Sequence, residues 1–223
     1  PSFRLEKDVL NAEIDILREM GVEFQCGVEV GKDITIEQLR AQGYKGFYVA
    51  IGAQKSAKLR IPGEELEGVY GGVDFLRAVN LGHETHIGKR CAVIGGGNVA
   101  MDVTRSSIRL GADKVTCVYR RRQADMTALP DEITGALAEG AELMTLAAPV
   151  RIEADEDGAA KALWVQPQII GEVDKAGRPR PGKAALEEVR IPADVIVVAI
   201  GQGVEIQGFD QAGVPIQRGA FVA

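Results

Sequence analysis

Apolar positions along the chain recur with two different spacings. Over residues 8–20, Leu10, Ile14, Leu17 and Met20 fall on one helical face, and Gly21 follows as a C-terminal cap. The short apolar run Val22 to Phe24 then reads as a strand. Thr35-Ile36-Glu37-Gln38 has the form of a capping box, which predicts a short helix ending near Gly43. Gly46-Phe47-Tyr48-Val49-Ala50-Ile51-Gly52 reads as a buried strand closed by a glycine. Residues 53–72, with Pro62 and closely spaced glycines and acidic residues, have a linker composition. A helix over roughly 73–81 leads into the turn before Lys89.

The middle of the chain alternates strands with helices. Arg90 to Ile94 reads as a strand, Asn98 to Leu110 as a helix closed by Gly111, and Lys114 to Tyr119 as a second strand. Pro130, Asp131 and Glu132 suit a helix opening, because proline fits the first turn and carboxylates favour the positive end of the dipole. That helix closes at Gly140, and Glu142 to Leu146 follows as a strand. From Val150 the period becomes strand-like. Residues 161–170 and 184–191 predict a β-meander joined by the polar turn around Gly177 to Gly182. Asp194 to Gly201 reads as a fully buried strand, and its Ala-Ile-Gly ending echoes residues 50–52.

The segment Arg90 to Asp102 carries chemistry as well as structure. Gly95, Gly97 and Ala100 fill a G-x-G-x-x-G/A fingerprint between a strand and a helix. Gly95 permits the tight turn, Gly97 lets a pyrophosphate approach bare backbone, and Ala100 lets the helix pack on the strand. The helix N-terminus then offers unpaired N–H groups and partial positive charge to the phosphates. A second strand follows within about thirty residues, as a βαβ nucleotide unit requires.

Rival nucleotide folds lack their marks. A methyltransferase loop usually has an acidic residue where this chain has Val93. No tyrosine is followed by lysine at the spacing of a short-chain dehydrogenase, and no Gly-Lys-Ser/Thr exists for a Walker A loop. At the end of the second strand an NAD site places a carboxylate for the ribose. This chain has Tyr119-Arg120-Arg121-Arg122 instead. Guanidinium groups bind a 2′-phosphate through paired, charge-assisted hydrogen bonds, so NADPH is the expected cofactor.

Composition narrows the field further. A net charge of −6 argues against general nucleic-acid binding. Cys26, Cys91 and Cys117 form no CxxC pair, and the last two sit in apolar strand patterns as small hydrophobes. His83 and His86 have no partner at metal-ligand spacing. No apolar run reaches the roughly 20 residues of a membrane span, and no signal peptide is visible, so a cytoplasmic protein is expected. The chain opens on Pro1 and stops within a strand-like run, which reads as a piece of a longer protein.

With these residues in hand, the chain resembles the small subunit of NADPH-dependent glutamate synthase and its relatives, flavoproteins with two dinucleotide-binding domains. The resemblance rests on Phe3-Arg4-Leu5 with Lys7, Ala50-Ile51-Gly52-Ala53, Ile61-Pro62-Gly63-Glu64 and Asp74-Phe75-Leu76. It continues through the Gly95 to Asp102 loop, Val118-Tyr119-Arg120-Arg121, Ala148-Pro149-Val150 and Ala199-Ile200-Gly201-Gln202. The family's N-terminal FAD fingerprint, its cluster cysteines and its downstream Gly-Asp segment are absent, and Glu6 stands where the family commonly has proline.

The resemblance implies an FAD-domain remnant over 1–62, an NADPH domain over 63–203, and a returning FAD-domain segment from 204. It also implies hydride delivery from NADPH to FAD in the parent protein, whose iron–sulfur segments or partner subunit take the electrons. The expected fold is α/β: a parallel sheet with helices on both faces, an antiparallel meander, and a partial second domain. Gly95, Gly96, Gly97, Asn98, Val99 and Ala100 are the candidate pyrophosphate residues, with Gly52, Ala199 and Gly201 at the strand ends. Arg120 and Arg121 are assigned to the 2′-phosphate, Arg122 more weakly. No catalytic acid or base is needed, since hydride transfer to flavin is cofactor chemistry. The rival expectation is a non-enzymatic dinucleotide-binding or redox-sensing module.

Overall fold

A computed structural model describes residues 1–83, 85–173, 177–206, 209, 212–217, 220 and 221. The chain divides into two compact units, Pro1–Lys55 with Gln202–Ala223, and Ser56–Gly201.

The first unit holds α1 (Lys7–Glu19) and α2 (Ile36–Ala41). Thr35 and Gln38 form the expected capping box at the start of α2, with Gln38 N–H donating to Thr35 Oγ1 at 3.1 Å. None of the α1 residues is buried, and Leu10, Leu17 and Met20 remain exposed. The segments 22–24 and 46–52, expected as strands, join no ladder among the described residues. A strand exists by exchanging N–H and C=O groups with a neighbour, and among the described residues those segments have none. Tyr48 is accordingly 95% exposed. Val30, Ile36, Leu39, Phe47, Ile51 and Phe209 line an apolar groove here.

The chain passes into the second unit through the two-residue strand β1 (Lys55–Ser56). There follow β2 (Val69–Gly71), α3 (Gly72–Asn80), β3 (Arg90–Ile94), α4 (Asn98–Arg109) and β4 (Lys114–Val118). A 3-10 turn at Gln123–Asp125 leads to α5 (Pro130–Ala138) and β5 (Glu142–Met144). The antiparallel strands are β6 (Ala147–Ala154), β7 (Ala160–Val173), β8 (Pro179–Lys183) and β9 (Val189–Pro192), after which β10 (Val195–Val198) closes the unit. Back in the first unit lie β11 (Gln202–Gly203) and the hairpin of β12 (Ile216–Gln217) with β13 (Ala220–Phe221).

Five strands form a parallel sheet in the order β2-β10-β3-β4-β5. Side chains alternate between its faces. Cys91, Val93, Val115, Val195 and Val197 meet α3, α4 and α5 through Phe75, Met101, Val103 and Ile133. Ala92, Ile94, Val118, Ile196 and Val198 meet the meander through Ile152, Leu163, Val165 and Ile191. The α/β class, the parallel sheet and the meander are as expected, but helices cover one face rather than both. The meander itself supplies the second apolar layer, so that face needs no helix.

The meander is larger than its pattern predicts. β7 pairs with β6 and β9 over its first half and with β8 over its second. The segment expected as a turn is thus partly the strand β8. Pro179 and Pro181 lie two residues apart, which removes two donors from one edge of β8 and suits an edge strand. Pro149 and a register shift beside it obscured β6 in the sequence. Leu146 takes φ +54, which ends β5 at Met144 rather than at Leu146.

One motif of the resemblance has a local explanation. The carboxylate of Glu64 accepts the N–H groups of Leu59 and Arg60 at 2.6 and 2.7 Å. Gly63, at φ +85, sits so close to β6 that a Cβ there would come 2.4 Å from the Ile152 carbonyl.

Candidate nucleotide-binding site

β3 ends at Ile94, just before Gly95, and β10 at Val198, just before Ala199, side by side in the sheet. From β3 the chain steps through α4 to β4 on one side, while β10 flanks it on the other. The carboxyl ends of β3 and β10 therefore form a topological switch point, where open α/β sheets bind ligands. The two ends touch: Ala199 N–H donates to the Ile94 carbonyl at 2.8 Å.

The glycines of the loop do different jobs. Gly95 has φ +151, and a Cβ on it would lie 2.2 Å from the Ala199 carbonyl oxygen. A Cβ on Gly96 would lie 2.5 Å from the Tyr119 ring. Gly97 is different, because its backbone is extended at φ −103 and ψ 178. A Cβ there would make only ordinary contact, 3.4 Å from Thr127 Oγ1. Nothing in the packing demands a glycine at 97, so the space above it is left for something else.

That space faces the start of α4, which has no side-chain cap. The first helical N–H with an internal partner is that of Met101, which donates to the Gly97 carbonyl at 3.2 Å. The N–H groups before it point outward at the positive end of the dipole. Ala100 is fully buried in the helix–sheet core, as the fingerprint predicts. Val99 and Ala199 pack together over Gly72, where a Cβ would lie 3.2 and 3.1 Å from them.

The segment after β4 braces this loop in a way the sequence did not disclose. Thr127 and Ala128 N–H both donate to the Gly96 carbonyl, at 2.9 and 3.0 Å. Asn98 Oδ1 accepts the Leu129 N–H at 2.9 Å, so the side-chain oxygen of this exposed residue ties α4 to the segment before α5. Tyr119 OH donates to the Asp125 carbonyl at 2.9 Å, holding the ring that fills the place of a Gly96 side chain. The small residue at 96 opposite an aromatic at 119 is the only sequence signal of this pairing.

The three arginines part company. Extended chain alternates sides. Arg120 is exposed and has no hydrogen-bond or ion-pair partner among the described residues. Arg121 is 7% exposed, and its Nε–H donates to the Pro179 carbonyl at 3.0 Å. Arg122 forms a two-bond pair with Asp125, both bonds 2.8 Å, which holds the carboxyl below its ordinary range. Of the remaining candidates, Gly201 has φ +141 and its carbonyl accepts the Ala57 N–H at 3.0 Å. Gly52, with φ +66, lies in the first unit.

The thiols of Cys91 and Cys117 are pushed up to about 11 and about 12 by burial, which favours the protonated thiol at both. Cys117 donates to the Gly95 carbonyl at 3.4 Å.

A glycine turn at a switch point, with an uncapped helix behind it and a basic strand end beside it, is the arrangement of a Rossmann-like α/β fold of the FAD/NAD(P)-binding kind. The chain belongs to the pyridine nucleotide-disulphide oxidoreductase family, whose pattern matches residues 10–223. It is 39% identical over 214 residues to the NADP(+)-dependent formate dehydrogenase subunit beta of Moorella thermoacetica, covering 94% of this chain and 30% of that protein. It is 38% identical over 211 residues to the glutamate synthase [NADPH] small chain of Halomonas elongata, covering 90% of this chain and 44% of that one. The resemblance to glutamate synthase small chains therefore holds, and the chain spans between about a third and just under half the length of these relatives. Among solved structures, FprA of Mycobacterium tuberculosis in complex with NADPH superposes with a TM-score of 0.65 at 21% identity, over 81% of this chain and 55% of that one. Thioredoxin reductase of T. acidophilum does so with 0.54 at 16% identity, over 75% and 48%. These two likenesses concern the fold. Among the described residues, no helix is long and apolar enough to cross a membrane.

Proposed function

We propose that this chain is the NADPH-binding module of a flavin-dependent oxidoreductase of the glutamate synthase small-subunit type. The observation that carries the reading is Gly97: its glycine identity is unexplained by packing, and it opens onto the free N–H groups of α4. In this reading the pyrophosphate lies across Gly97 and takes hydrogen bonds from the backbone of Asn98, Val99 and Ala100. Arg120 meets the 2′-phosphate at the end of β4. Gly95, Gly96, Ala199 and Gly201 shape the walls rather than touch charge.

The residues fit NADPH and do not fit FAD. A second pyrophosphate needs its own glycine turn and open helix N-terminus, and at the other strand–glycine–helix junction among the described residues, Gly71–Gly72 at the start of α3, the Val73 N–H is already taken by Ser56 Oγ at 3.3 Å. The flavin is therefore assigned to the remainder of the parent protein, and the first unit to part of its FAD domain. NADPH supplies a hydride when bound, and this chain binds and orients it. The relatives' names as beta subunits and small chains support a partner subunit or further domain as the electron acceptor.

The test is calorimetry of NADP⁺ against the unaltered chain and Gly97→Val. We expect binding in the first and none in the second, with similar melting temperatures. Equal affinity in both sinks the reading.

A further inference from the structure

The segment between β4 and α5 does more than brace the Gly96 carbonyl. It carries a hydroxyl group to the lip of the glycine loop. Leaving aside the chain neighbours of Gly97, Thr127 Oγ1 is the one heavy atom within 4 Å of the place a Cβ on Gly97 would take, at 3.4 Å. Thr127 is exposed, and among the described residues its hydroxyl has no hydrogen-bond partner. Its main chain, by contrast, is fixed on both sides. The N–H groups of Thr127 and Ala128 share the Gly96 carbonyl, Asn98 Oδ1 holds the Leu129 N–H, and the Gln123 carbonyl accepts the Met126 N–H at 3.0 Å. Every N–H from Met126 to Leu129 is thus spent on the backbone's own position, while the Thr127 side chain takes no part in that bonding.

We propose that Thr127 is a further cofactor-binding residue, whose hydroxyl donates a hydrogen bond to the pyrophosphate lying across Gly97. The inference rests on the nucleotide reading given above. A pyrophosphate bridge spreads its negative charge over several acceptor oxygens, more than the first N–H groups of α4 satisfy alone. A hydroxyl turns its proton towards whichever acceptor is presented, and a bond from it to a phosphate oxygen is charge-assisted. An O–H···O bond spans about 2.5–3.0 Å, so an anion entering the space over Gly97 comes within reach of this oxygen. The branched Thr127 side chain has few rotamers on a backbone already held, so the donor is in place before the ligand arrives. The brace itself does not call for a hydroxyl, because main-chain N–H groups make it and any residue but proline supplies one.

The pyrophosphate is common to NADP⁺ and NAD⁺. A residue that binds it therefore affects both nucleotides alike, and it acts on the phosphorus atoms of the bridge while leaving the 2′-phosphate untouched.

The experiment compares Thr127→Val and Thr127→Ser with the unaltered chain. Valine keeps the branched shape and removes the donor, whereas serine keeps the donor and removes the methyl. Dissociation constants for NADP⁺ and NAD⁺, phosphorus NMR of bound NADP⁺ and melting temperatures are measured for each. Thr127→Val is expected to weaken both nucleotides by a common factor of roughly three to ten and to leave their ratio within about twofold. Its pyrophosphate resonances are expected to move, with the 2′-phosphate resonance and the melting temperature unchanged. Thr127→Ser is expected to bind within about threefold of the unaltered chain. Unchanged affinities in Thr127→Val overturn the inference. So does a loss that serine fails to recover, or a loss with unmoved pyrophosphate resonances, since either traces to support of the loop. If Gly97→Val still binds both nucleotides as tightly as the unaltered chain, it is the underlying nucleotide reading that fails.

Discussion

The ring of Tyr119 occupies the place that a side chain on Gly96 would need: a Cβ at Gly96 would lie 2.5 Å from the ring's Cε2. The ring cannot simply swing aside, since its hydroxyl is bonded to the Asp125 carbonyl at 2.9 Å. Neighbouring glycines in one loop therefore answer to different constraints. Gly96→Ala is expected to cost about 1–3 kcal/mol by overpacking. Gly97→Val is expected to leave stability within about 0.5 kcal/mol of the unaltered chain while abolishing nucleotide binding. Denaturant melts of the two variants, read with NADP⁺ titrations, give the comparison. A stable Gly96→Ala protein with normal affinity contradicts it.

Asn98→Ala separates the side chain from the backbone at the loop. The variant leaves the Leu129 N–H without its acceptor, at a cost of about 1 kcal/mol. The backbone N–H at position 98 survives, so NADP⁺ affinity is expected to fall by less than about tenfold. Loss of all binding would place the Asn98 amide itself on the pyrophosphate.

If the Gly95–Ala100 loop holds the nicotinamide nucleotide as proposed, the protein is expected to bind no flavin stoichiometrically, because among the described residues the other strand–glycine–helix junction, at the start of α3, has its Val73 N–H bonded to Ser56 Oγ. Absorbance in the flavin band of the undenatured protein, against protein concentration, is the measurement. One flavin per chain refutes the assignment of the first unit as an incomplete FAD domain.

Glu139 links α4 to α5. Hydrogen bonds from Arg109 and Arg105 lower its carboxyl from the ordinary 4.5 to about 2. A depressed folded-state value means that the stabilisation is complete above the ordinary carboxylate range. It is lost as pH falls from about 4.5 through about 2. Glu139→Gln is expected to be less stable than the unaltered chain near pH 7, by roughly 1–3 kcal/mol. The difference should vanish towards pH 2. Melting temperature against pH for both proteins tests this, and parallel curves would show that the Arg105–Glu139–Arg109 cluster contributes nothing.

The parallel core was legible because its signals are local. A strand ending at Gly95, a helix beginning at Asn98 and a glycine at 111 with φ +97 each declare themselves within a few residues. Capping at Thr35 was legible for the same reason. The arrangement of layers was not. Whether helices or the meander cover Ala92, Ile94 and Val118 depends on contacts between residues far apart in the chain. The segment 46–52 has strand composition, yet pairing needs a neighbour, and among the described residues it has none. At the site, the glycine fingerprint was legible and the fates of the arginines were not. Three identical side chains in a row carry no mark of which one turns inward, and the partner that takes Arg121 is the carbonyl of Pro179, invisible as a side-chain pattern.

The order of the sheet also bears on how the protein is made. β10, the last strand of the parallel sheet to leave the ribosome, lies between β2 and β3 rather than at an edge. Until Val198 has emerged, β2 has no partner in the sheet, and Val93 and Ile94 present an open flank where β10 will pair. Nascent chains therefore pass through a stage with an unpaired parallel strand edge, the kind of surface that recruits other chains. Loops that delay β10, or a pause in translation within the meander, prolong that exposure. Slower synthesis of residues 95–198 is therefore expected to lower the yield of folded protein even where the final stability is unchanged.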